Sequence, residues 1–139
     1  MIVKNGRIKL QTEGRDHVID ITPKVGEIVA ASKIKNGVVT VFIFGSTASV
    51  TTVEFEPGLI QDIRDIDEKL IPSNVSYAHD ETWGDANGYA HLRASLYGPS
   101  ITVPVVDEKM TLGTWQQIIV IDHDNRPRTR EVIIQVMGE

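Results

Sequence analysis

The sequence predicts a single α+β domain in which a mostly antiparallel β-sheet sandwich carries two to three helices. Three features lead there. Apolar runs of strand length recur along the chain, two intervening segments have helical periodicity, and the strands come in runs instead of alternating strictly with helices. Strict alternation would have argued for a doubly wound parallel sheet. A length of 139 residues suits one domain, 1–139. Surface scaling at 15.4 kDa leaves roughly 7,200 Å² exposed of about 22,000 Å² in the unfolded chain, so folding needs no metal or disulfide.

Ile2 to Thr12 and the alternating segment Asp16 to Ile21 read as two N-terminal strands. Thr22-Pro23 supplies a cap and a first-turn proline, and Val25, Ile28, Val29 and Ser32 recur at helical spacing, predicting a helix that runs up to Asn36-Gly37. Val38 to Phe44 and Ala48 to Phe55 are continuous β-branched and aromatic runs around a Gly45-Ser46-Thr47 break, as buried central strands require. After Pro57-Gly58, the residues Leu59, Ile60, Ile63, Ile66 and Leu70 line one face of a second helix that stops before Pro72. Ser73 to Gly88 reads as a long polar loop, and such loops in compact domains are usually functional. Ala90 to Leu96, with Asn87 as cap and Gly98 as stop, predicts a third helix, an extended segment being the alternative. Ile101 to Val106, Trp115 to Asp122 and Arg130 to Val136 then predict antiparallel hairpins, turning at Asp107 to Lys109 and at Asp124 to Pro127.

A net charge of −5 argues against a general nucleic-acid binder, because phosphate neutralisation needs a basic face. No apolar run reaches the ~20 residues of a membrane span, and the first residues lack the apolar core of a signal peptide, so a cytoplasmic location is expected. The absence of cysteine removes disulfides, thiolate catalysis and Cys-ligated zinc together. Any metal must sit on His, Asp or Glu.

Candidate chemistry begins in the polar loop, where His79, Asp85, Asn87 and His91 lie close in sequence. Imidazoles can shuttle protons or bind a divalent metal such as Mg or Zn, and carboxylates can complete the site, although single histidines more often serve structural hydrogen bonds. His17 and His123, without clustered partners, read as surface residues. Arg93 follows His91, and Arg126, Arg128 and Arg130 alternate at the last hairpin, where guanidiniums can clamp phosphate or pair with carboxylates on a solvent face. The turns containing Ser100, Thr114 and Gln116 can offer backbone N–H groups to a phosphate, or be ordinary hairpin punctuation. No GxGxxG, GxxxxGK[ST], GxSxG or HExxH motif occurs.

These blocks, from His79 through Asp85, Asn87, His91, Arg93 and Ser95, Gly98-Pro99-Ser100, Gly113-Thr114-Trp115-Gln116, Arg126 to Glu131 and the closing Gly138-Glu139, together closely resemble the YjbQ family, described as secondary thiamine-phosphate synthase enzymes. The resemblance spans nearly the whole chain. It implies a homotrimer of small α+β domains with a polar pocket near a subunit boundary, acting on a small phosphorylated metabolite. The implied reaction joins an aminopyrimidine methyl diphosphate to a thiazole phosphate and releases pyrophosphate. Arg93, Arg128 and Arg130 would then stabilise the anion, Asp85 and Asn87 position ligand or ion, and His79 and His91 transfer protons or coordinate metal. One departure stands out: common members carry His-Thr-Thr-Ala where this chain has Gly45-Ser46-Thr47-Ala48, leaving Asp85 or Glu54 as substitute ligands. A non-catalytic phosphometabolite-binding trimer and a metal-assisted phosphohydrolase are the rival expectations.

Overall fold

The computed structural model describes residues 1–139. Eight strands and four helices follow in the order β1 (Ile2–Thr12), β2 (His17–Asp20), α1 (Thr22–Ser32), β3 (Asn36–Ile43), β4 (Ala48–Val53), α2 (Pro57–Leu70), α3 (Ala78–Trp83), α4 (Gly88–Tyr97), β5 (Ser100–Val106), β6 (Lys109–Met110), β7 (Gln117–Asp122) and β8 (Arg128–Gly138). One sheet has the order β1-β8-β3-β5-β6 and the other β2-β7-β4, and every pairing is antiparallel. This is the expected α+β sandwich. The helices number four because the Ser73 to Gly88 stretch, expected as loop, contains α3. None of them is long and apolar enough to cross a membrane.

The main core lies between the sheets and under α1. It takes Val132, Ile134 and Val136 from β8, Val39, Val41 and Ile43 from β3, and Val25 and Val29 from α1. Their period of two along each strand is the alternation that half-buried strands impose. Strand β7 breaks the alternation: Ile118 and Val120 point into the main core, while Ile119 and Ile121 point the other way onto Ile63 of α2 and Val18 of β2. All four are fully enclosed. A strand covered on both faces must be apolar at every position, which explains the uninterrupted run in the sequence.

Several boundaries differ from the sequence reading. Helix α1 ends at Ser32, with Lys33 in the left-handed region at φ 61°, because Asn36 is needed in β3 against Val106. Thr22 is the first helical residue, not the cap, and its hydroxyl accepts the Ile118 N–H at 2.8 Å. Trp115 lies outside β7 and is largely exposed. The predicted strands Val38 to Phe44 and Ala48 to Phe55 exist but belong to different sheets, and the chain crosses between them at Gly45, φ +117°. Truncating Ile118 to Ala removes contacts at the centre of the sandwich and should cost about 2–5 kcal/mol, read as a lower urea midpoint with an unchanged slope.

Candidate functional site

β7 ends at Asp122 and is followed by His123 and Asp124, and all three side chains are completely enclosed. Buried charges persist only when paired and hydrogen-bonded. Arg130 supplies the main partner: its Nε donates to Asp122 Oδ2 at 2.7 Å, and its Nη2 donates to Asp122 Oδ1 at 2.9 Å and to Thr47 Oγ1 at 2.6 Å. Asp124 accepts from Thr47 Oγ1 at 2.9 Å, Asn87 Nδ2 at 3.2 Å and Arg128 Nε at 2.9 Å. Burial works to raise the Asp124 carboxyl, but the Asn125 N–H, Thr47, Asn87 and Arg128 outweigh it and hold it below the usual carboxylate range.

Two hollows meet over this network at Gly45. One, of about 400 Å³, has Lys9, Phe44, Arg128 and Arg130 among its walls. The other, of about 290 Å³, is lined by Ser46, His91 and Ser95. Arg130 Nη1 makes no hydrogen bond within the chain, and a Cβ at position 45 would lie 2.8 Å from it. Gly45 therefore does two things: it adopts a φ that side chains rarely tolerate, and it leaves a guanidinium edge facing open space.

His91 joins this region from α4, its ring centroid 4.2 Å from that of His79 of α3 and tilted 39° to it. His79 Nδ1 is buried without a hydrogen bond and lies 3.9 Å from Asp85. Burial, reinforced by the neighbouring His79, pushes the His91 imidazole below its ordinary range. Asp80, next to His79, organises the turn by accepting the Tyr77 N–H at 3.0 Å and the Gly88 N–H at 2.8 Å.

The other predicted residues lie elsewhere. Arg93 is buried on the opposite side of α4, where Nη2 donates to Glu68 at 2.7 Å and to the Ile71 carbonyl at 2.7 Å. Thr114 and Gln116 line a separate hollow of about 480 Å³ beside α1. Ser100 and Arg126 are exposed. His17 is half-buried and accepts the Glu13 N–H.

A family model described as UPF0047 protein YjbQ-like matches residues 6–139. The chain belongs to the YjbQ/UPF0047 family. Within that family, a UPF0047 protein of Archaeoglobus fulgidus is 40% identical over 130 residues, covering 94% of this chain and 98% of its own. A UPF0047 protein of Methanothermobacter thermautotrophicus is 39% identical over 139 residues, covering 100% of this chain and 95% of its own. The crystal structure of a YbjQ-like protein of unknown function from Sulfolobus solfataricus P2 superposes with a TM-score of 0.94 at 33% identity, covering 99% of each chain.

One cluster in this YjbQ-family chain escaped the sequence reading. His123, expected at the surface, is completely enclosed, with Nδ1 2.6 Å from Asp16 Oδ1, Nε2 2.8 Å from Ser49 Oγ and its ring stacked on Tyr97. Its isolation in sequence concealed partners more than 50 residues away in every direction except α4. Asp16 is turned inward by three successive left-handed residues, Gly14, Arg15 and Asp16. The Ser49–His123–Asp16 connectivity is that of a nucleophilic triad, but Ser49 has no exposed surface for a substrate to reach.

Asp67 of α2 completes the cluster, accepting from Tyr97 Oη at 2.7 Å. Burial and the adjacent Asp16 carboxyl push Asp67 up to about 8. Asp16 moves the other way: burial opposes ionisation, but His123, Asp67 and Arg93 outweigh it and lower its range. The pair thus shares one proton. Asp67 in the unfolded chain ionises near 3.8, so from about pH 4 to 8 the folded state holds a proton that the unfolded state lacks. Stability contributed by Asp67 accordingly declines as pH rises through that window and is flat above it. Asp67→Asn, which has no proton to lose, should gain roughly 3–6 °C in melting temperature relative to the parent chain between pH 5 and 9. Identical melting-temperature profiles against pH would contradict the shared proton.

Proposed function

We propose that the paired hollows at Gly45 bind a small phosphorylated metabolite and that the chain is a thiamine-phosphate synthase-like transferase. The observation that carries this reading is the unpaired Nη1 edge of buried Arg130, set between Arg128 and Lys9 on one side and the His91 hollow on the other. Arg130 is held by Asp122, so the free edge is already oriented before any anion arrives. In the reaction, the bond from the pyrimidine methylene to the diphosphate oxygen breaks and its electron pair leaves on pyrophosphate. The thiazole nitrogen contributes its lone pair to the new C–N bond. Lys9, Arg128 and Arg130 offset the charge that grows on the leaving group. His91, with its lowered basicity, accepts a hydrogen bond from the pyrimidine amino group in the adjoining hollow.

In this reading Lys9, Arg128 and Arg130 meet the leaving-group charge, and no step is assigned to a metal ion at His79, His91 and Asp85. The one set of three such side chains whose ligand atoms all fall within 4.8 Å of one another is Asp16, Asp67 and His123. A homotrimer is part of the proposal: Phe44 on the rim of the cationic hollow is 64% exposed, and Leu96, one residue from Ser95, is 69% exposed. A neighbouring copy would cover these side chains and narrow the hollows.

With both substrates supplied, purified protein should release pyrophosphate and form thiamine phosphate, and Arg128→Ala should lower kcat/KM by about 10²–10³-fold. Pyrophosphate that binds tightly without turnover favours the non-catalytic binding reading. Neither product nor binding overturns both. Light scattering checks the assembly: a mass of three chains is expected, falling to one in Leu96→Glu.

A further inference from the structure

We propose that Asp16, Asp67 and His123 form a binding site for a divalent transition-metal ion, separate from the Gly45 hollows. One ligand atom from each comes within 4.8 Å of the others, and all three residues are buried. Asp16 Oδ2 and Asp67 Oδ2 are both enclosed and neither has a hydrogen-bond donor. Unsatisfied carboxylate oxygens at this depth are costly unless a cation or proton meets them.

The backing of the ligands separates this cluster from a chance group of acids. Metal ligands are typically held on their far side by a second set of polar groups that fix their orientation. Ser49 Oγ stands 2.8 Å from His123 Nε2, Tyr97 Oη donates to the far oxygen of Asp67 at 2.7 Å, and Arg93 Nη1 stands 3.4 Å from Asp16. Tyr97 and Ser49 thus orient Asp67 and His123 from the far side and leave Asp67 Oδ2 free, while Asp16 is held between His123 at Oδ1 and Arg93 at Oδ2. When an ion binds, the 2.6 Å hydrogen bond between His123 Nδ1 and Asp16 Oδ1 gives way. The neutral imidazole then carries its single proton on Nε2, which donates to Ser49 Oγ and leaves the Nδ1 lone pair for the ion, while the proton shared by Asp16 and Asp67 is released to water.

Charge favours a dication. An ion displaces the proton that Asp16 and Asp67 share, and Asp16, Asp67 and Glu68 against Arg93 then leave two negative charges, which one divalent ion cancels. Two carboxylates and one imidazole suit Mn²⁺, Fe²⁺, Co²⁺ or Zn²⁺ better than Ca²⁺, which prefers six to eight oxygens, or Mg²⁺, which rarely uses imidazole. A hollow of about 200 Å³ has Asp16, Glu68, Arg64 and Tyr89 among its walls, so the cluster lies next to a depression in the surface. The ion would tie α2, the Gly14–Asp16 turn and the end of β7 together.

The test uses the full chain freed of metal by chelation and titrated with Zn²⁺ or Mn²⁺ alone. One equivalent should bind to the parent protein and raise its melting temperature, and Co²⁺ should give visible d–d absorption. Asp67→Asn should weaken binding by at least about 10-fold, the loss typical when a metal ligand or its support is altered. His79→Gln and His91→Gln should leave binding unchanged. Absence of saturable binding by the parent chain overturns the proposal, as does binding that survives Asp67→Asn but disappears with His91→Gln. Because the parent titration decides by itself, a variant that fails to fold does not obscure the answer, and the outcome is independent of any turnover at the Gly45 hollows.

Discussion

The fold turns on a constraint at one point, where the end of β7 and the two residues after it carry Asp122, His123 and Asp124 into the interior directly after four enclosed apolar residues. Placing two carboxylates and an imidazole there without partners would cost several kcal/mol per charge. Satisfying them dictates much else. Arg130 must reach Asp122 from β8, Thr12 must turn its hydroxyl inward from β1, and Thr47 must sit between Arg130 and Asp124. Since β8 and β7 belong to different sheets, the two-point pairing of Arg130 with Asp122 also sets how one sheet sits on the other. Apolar packing holds the sandwich together but tolerates sliding. A forked guanidinium on a carboxylate does not.

The same network creates the open site. Arg130 spends Nε and Nη2 on the interior, so its remaining nitrogen is left at the boundary where the chain crosses between the sheets. Any side chain at position 45 would meet that nitrogen, and its backbone would be strained at φ +117°. Gly45 is thus matched to this arrangement of Arg130. A histidine placed there would require both the crossover and the guanidinium to move.

Much of the fold was legible because burial leaves periodic marks. The continuous apolar runs of β3, β4 and β7, the amphipathic stripe of α2 and the Asn-Arg-Pro turn before β8 all appear in the sequence for the reasons that place them in the structure. Helix α3 left no such mark, since none of its residues is buried and it is held by Asp80 bonding to the Tyr77 and Gly88 N–H groups. The site was half legible. Asp85, Asn87 and His91 cluster in sequence because one turn and one helix start supply them, whereas Asp16, Asp67 and His123 come from a turn, a helix and a strand end that only tertiary packing unites. A lone histidine beside two aspartates after a buried strand was the available signal, and its surface reading failed because its partners Asp16, Ser49 and Asp67 lie far from it in sequence.

The geometry of α4 explains why Arg93 could not serve the hollow that His91 lines. Residues two apart on a helix point about 200° away from each other, while those four apart share a face. His91 and Ser95 accordingly line the hollow at Gly45, and Arg93 and Tyr97 reach the Asp16–Asp67–His123 cluster. One short helix divides two polar centres, and each is braced by β7 through adjacent residues: His123 faces one, Asp122 and Asp124 the other. Anything that moves the end of β7 must be felt at both, since their supports are consecutive in the chain. A cation seated on His123 would therefore sit one residue from each of the carboxylates that orient Arg128 and Arg130.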